Sequence, residues 1–124
     1  MKNIFVTILI TLIGFSVGAS VGIARPHLYK DSDYRKGNFT ISKVGTSKLN
    51  NPCAKSALAA LEGTIVEQAM SMGVDLPDTI RVDKVNYLEN LGIFVIQSNS
   101  DVFSILTEKK NGNCQARLFG IDHH

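Results

Sequence analysis

Cys53 and Cys114 carry the clearest chemistry in this chain. They lie far apart and form no C-x-x-C pair, and two cysteines allow only one intramolecular bond. In an exported chain that pattern reads as a disulfide. A closed loop of about 60 residues would then contribute roughly 4 kcal/mol. A catalytic thiol is not expected, because the three histidines, His27, His123 and His124, lie toward the chain ends. His27 has no carboxylate at helical or strand spacing and reads as surface. His123 and His124 are adjacent on what reads as a tail, and a metal site needs three or four ligands in fixed geometry. The acids are dispersed: Asp31 and Asp33, Asp75 and Asp78 around Pro77, and Glu62 and Glu67. No G-x-S-x-G elbow, phosphate loop or H-E-x-x-H occurs. These residues predict no enzyme, no cofactor and no metal centre.

Binding chemistry is better represented. Tyr29, Lys30, Tyr34, Arg35 and Lys36 interleave aromatic and basic side chains, a composition suited to a protein contact. Two turn sequences add exposed polar groups, Glu89-Asn90-Leu91-Gly92 and Lys110-Asn111-Gly112-Asn113. The expected partner surface comprises Tyr29, Tyr34, Arg35, Glu89, Asn90, Lys110 and Asn111. A net charge of +2 supplies no broad field for nucleic acid. Asn38-Phe39-Thr40 is a glycosylation sequon, meaningful in a eukaryotic source.

These groups need elements to position them. Residues 25–36 are polar, mixed in charge and aperiodic, and read as a flexible or ordered arm over 20–36. Gly37 to Val44 alternates as a strand does. Asn51 as N-cap, Pro52 in the first turn and Gly73 as the C-terminal stop delimit a helix. Ala54, Leu58, Leu61, Ile65, Ala69 and Met72 form its apolar stripe, with Ser56, Ala60, Gly63, Glu67 and Ser71 opposite. Four strand signals follow. Thr79 to Leu88 slips its alternation at Asp83-Lys84, as at a β-bulge. Ile93 to Gln97 is apolar almost throughout, like a strand covered on both faces. Val102 to Lys109 and Cys114 to Ile121 flank Asn111-Gly112, a strong type I′ hairpin signal. Residues 122–124 read as a tail. The expected class is α+β, one helix on an antiparallel meander in the order β-α-β-β-β-β, within one domain over 37–121.

That order resembles the cystatin-like fold across most of the chain after the leader. The resemblance is one of order. Protease-inhibiting cystatins carry a Gln-x-Val-x-Gly hairpin and usually a Pro-Trp hairpin, whereas the corresponding turns here are those quoted above and Trp is absent. No cystatin residue is carried over.

The N-terminus reads as an export signal over residues 1–19. Lys2 precedes an apolar run from Ile4 to Ile13, small residues follow from Gly14, and Val17-Gly18-Ala19 suits cleavage before Ser20. The alternative is a retained membrane anchor over 4–24, long enough to span a bilayer, with Gly14, Gly18 and Gly22 on one stripe. The expectation is a small non-catalytic binding module in the periplasm or secreted, of inhibitor or immunity type, with a protein partner and no nucleic acid. The alternative, if the N-terminal segment is retained, is an inner-membrane-anchored structural subunit of an envelope assembly.

Overall fold

The computed structural model describes residues 27–43 and 46–123. The proposed signal or anchor, its glycine stripe, Ser20, Val44, Gly45 and His124 lie outside the described residues.

The fold is α+β: one helix packs on one face of an antiparallel sheet. Strands are β1 (Tyr29–Lys30), β2 (Phe39–Ile41), β3 (Ile80–Val82), β4 (Lys84–Leu88), β5 (Ile93–Ser98), β6 (Asp101–Lys110) and β7 (Asn113–His123). The helix α1 spans Ala54–Met72, and short 3-10 turns cover Asp31–Asp33, Lys36–Asn38 and Thr46–Asn50. The main sheet runs β1-β7-β6-β5-β4, a four-stranded meander with β1 added antiparallel to its last strand.

Helix α1 begins two residues later than the N-cap reading of Asn51 places it. The Asn51 side chain still serves the start, its Oδ1 accepting the Cys53 N–H at 2.9 Å. Gly73, at φ +67°, ends the helix, and Val74 N–H reaches back to the Ala69 carbonyl at 3.0 Å. The buried face is wider than the expected stripe at the start and narrower at the end. Ser56 and Ala60 are fully buried, whereas Met72 is 70% exposed. β1 and the Asp31–Asp33 turn also pack on the helix. Tyr29 lies so close to Gly63 that a Cβ built there would fall inside its phenol ring. The buried hydroxyls are satisfied locally, Ser56 Oγ donating to the Cys53 carbonyl and Thr64 Oγ1 to that of Ala60.

Three strand readings change in detail. The strand expected over Gly37 to Val44 shortens to β2, which pairs parallel with β3 outside the main sheet, Phe39 opposite Ile80 and Ile41 opposite Val82. Parallel pairing follows from connectivity, because α1 carries the chain back between the two strands. The slip at Asp83-Lys84 is a change of sheet and not a bulge: β3 pairs with β2, β4 with β5. Asp83 fixes that corner. Its N–H donates to the Gln97 carbonyl, and its carboxylate accepts from Asn99 N–H at 2.9 Å and Arg81 Nε at 2.5 Å. The bulge falls in β7, where Ser104 faces Gly120 and Ile105 faces Leu118, leaving Phe119 as the extra residue. β7 also runs through Asp122 to His123, read from sequence as tail, because Asp101 pairs with His123 in the ladder and their side chains meet at 2.8 Å.

Phe94, Ile96, Phe103 and Ile105 from the sheet and Leu61 from the helix fill the core. Contrary to two-sided burial, β5 buries only Phe94, Ile96 and Ser98, while Ile93 and Val95 on its other face are half-exposed.

Candidate binding edge

The meander turns β4–β5 and β6–β7 occupy the same end of the sheet, since strands alternate in direction. At β4–β5, Leu91 and Gly92 N–H groups donate to the Leu88 carbonyl at 3.0 and 2.9 Å, and Gly92 takes φ +67°. Thr107 ties this turn down, donating both its N–H and its hydroxyl to the Gly92 carbonyl at 2.7 and 2.8 Å. At β6–β7, Asn111 (φ 53°) and Gly112 (φ 81°) form the positive-φ pair that the sequence predicts.

The arm arrives at the same end. Tyr29 pairs with Ala116 and Lys30 with Gln115, so β1 runs toward the β6–β7 turn. The chain then folds over Asp31–Asp33, held by the Lys30 N–H on Asp33 Oδ2 at 2.8 Å and by Arg35 Nη1 on the Ser32 carbonyl at 3.0 Å. Cys53 and Cys114 form a disulfide, their Cα atoms 5.4 Å apart, which staples the helix start to the head of β7.

Two depressions flank this staple. A cavity of about 610 Å³ opens between Lys30, Asp31 and Ser32 on the arm and Lys110, Asn111, Asn113 and Gln115 on the hairpin. A cleft of about 330 Å³ lies between Asn51 and Pro52 at the helix start and Tyr87, Glu108 and Lys109 on the sheet. The first offers ammonium and amide donors beside a single carboxylate, chemistry that suits the carbonyls and carboxylates of a polypeptide loop. Among the described residues no group of three His, Cys, Asp or Glu side chains is placed to hold a metal ion.

The expected surface residues divide into three sets. Lys110 and Asn111 line the larger cavity. Glu89 and Asn90 are exposed at the same end of the sheet but line neither depression. Of the arm residues, Arg35 is exposed, whereas the two tyrosines are engaged within the fold. Tyr34 stacks on Phe39 with centroids 5.6 Å apart, and Tyr29 lies on Gly63 with its ring edge-on to His27. Burial, then the charges of Glu67 and Asp33, raises the Tyr29 hydroxyl above its ordinary value of 10.0. Sequence reasoning named the turn through Asn113 and the arm as surface, but did not single out Asp31, Ser32 or Gln115 as walls of one cavity. The only sequence signal there was the Asn111-Gly112 turn, which fixes the hairpin wall but not the arm against it. Comparison with protein families, curated proteins and solved structures finds no match to this chain.

Proposed function

We propose that this protein is a small exported, non-catalytic binding module that caps a protein partner outside the cytoplasm, as an inhibitor or immunity-type protein does. One observation carries the reading: the arm and the Lys110–Asn113 hairpin converge around a single polar cavity, beside the Cys53–Cys114 bond. Recognition through a preorganised edge costs little ordering entropy, which favours tight capture by a small domain. A disulfide also fits an oxidising compartment. The periplasm or the extracellular space is therefore the proposed location.

The test is capture from the native envelope or medium with the exported protein as bait. The expected result is one partner held one-to-one, with at least about tenfold weaker capture by Lys110→Glu combined with Lys30→Glu. Both positions lie on the surface, so the melting temperature should be unchanged. Undiminished capture by a folded variant would remove this edge from the interaction.

A further inference from the structure

We infer that residues 20–26, the head of the chain that cleavage before Ser20 leaves, dock as a continuation of β1 along the uncovered edge of β7. The inference rests on the export reading and needs no captured partner. β1 pairs only with Gln115 and Ala116, whereas β7 runs on to His123. Among the described residues no other strand lies on that side of β7. Hydrogen-bond phase identifies the groups left open. Thr107 donates its N–H to Gly92 on the β5 side, so Ala116, opposite it on β7, turns its own N–H and carbonyl toward Tyr29. Leu118 faces the same way, and the bulge at Phe119 brings Ile121 into that phase. Among the described residues no backbone group outside the ladder bonds to either of them. Beside them lies a groove of about 370 Å³, walled by Glu67, Ser71 and Met72 of α1 and by Leu118 and Ile121 of β7.

Connectivity selects the occupant. β1 runs antiparallel to β7, so the residues before Tyr29 lead toward His123. Continued in register, His27 comes opposite Leu118, and Arg25 opposite Ile121 across the bulge. Tyr29 lies on the helix at Gly63, and every second residue before it, His27, Arg25 and Ile23, shares that face. The His27 ring already stands 4.5 Å from the Tyr29 ring. Arg25 then extends over the groove, where among the described residues no cation pairs with the Glu67 carboxylate. Proline fits as well. Lys30 points its N–H away from β7, to Asp33, and Pro26 shares that phase, so its missing donor falls on the outer side of an edge strand. Pro26 also restricts Arg25 to the extended region. Attachment to β1 makes the added strand intramolecular, an advantage in effective concentration that a separate peptide lacks.

Intact mass and amide hydrogen exchange on the exported protein, compared with a chain starting at His27, test this. The expected mass is that of a chain beginning at Ser20. The Leu118 and Ile121 amides should exchange at least about tenfold faster in the shortened chain, with Phe94 and Ile105 still protected. Arg25→Glu should lose part of that protection, and combining it with Glu67→Arg should restore it, which a general loss of structure does not do. Protection that rises with protein concentration assigns the edge to a second copy and overturns the inference. Equal exchange rates in the two chains overturn it too, as does a mature chain that keeps its leader or begins after Ala24.

Discussion

Tyr29 and Gly63 form the contact on which the arm depends. Alanine normally improves a helix interior over glycine by about 1 kcal/mol. At Gly63 the added methyl would occupy the space of the Tyr29 ring. Gly63→Ala should therefore destabilise the protein by about 1–3 kcal/mol, while the same change in a Tyr29→Ala background should be neutral or stabilising. Urea unfolding of the four proteins of that cycle measures it. Equal effects in both backgrounds would mean that the ring does not rest on the helix. The Tyr29 hydroxyl supplies a second, independent readout. Its raised folded-state value means that the native protein holds the phenolic proton more tightly than the unfolded chain. That contribution is complete below the unfolded value near pH 10 and is lost as pH rises through the folded value. Between about pH 9 and about pH 11 the wild type should lose more stability than Tyr29→Phe. Parallel losses would count against burial of the hydroxyl.

At the scale of elements, the two hairpins at the binding edge use positive-φ glycines in different surroundings. A Cβ at Gly112 meets nothing within 4 Å, so Gly112→Ala costs only backbone strain, about 1 kcal/mol. At Gly92 a Cβ would stand 3.0 Å from the Thr107 carbonyl oxygen, which strain alone does not include. Gly92→Ala should cost at least about 1 kcal/mol more, and should loosen the β4–β5 turn from β6. Thermal melts rank the pair, and amide exchange at Thr107 reports the loosening. The reverse ranking would be inconsistent with the Gly92–Thr107 clasp.

For the molecule as a whole, the disulfide joins its two layers. It closes a separation of 61 residues, and both cysteines are buried in the core. Removing it as Cys53→Ala with Cys114→Ala should cost roughly 2–5 kcal/mol, a large share of a small domain's stability. Calorimetry with and without reductant checks this, and a melting temperature that neither treatment moves would refute it. The loss should also spread to function. The bond ties the helix start to the strand bearing one cavity wall, so the reduced protein should capture its partner less well even where it remains folded.

Local chemistry determined a good deal of this structure. Gly73 stops the helix because only a residue comfortable at positive φ closes it cheaply, and Asn111-Gly112 makes its hairpin for the same reason. Period-two alternation located the meander, and the single allowed cysteine pairing is the one formed. The candidate edge was legible to the extent that the two turns share an end of the sheet. What the sequence could not express is which distant surfaces meet. A strand of two residues, β1, has no periodicity to detect, so the arm's docking on Gly63 and its role as a cavity wall were invisible. Ser56 and Ala60 are fully buried although they lie off the apolar stripe, a burial set by tertiary packing that local periodicity does not register. The slip at Asp83 was readable, but whether it marks a bulge or a change of sheet depends on the partners across the ladder. Those partners are brought together by the crossover of α1, a long-range geometry that no local window contains.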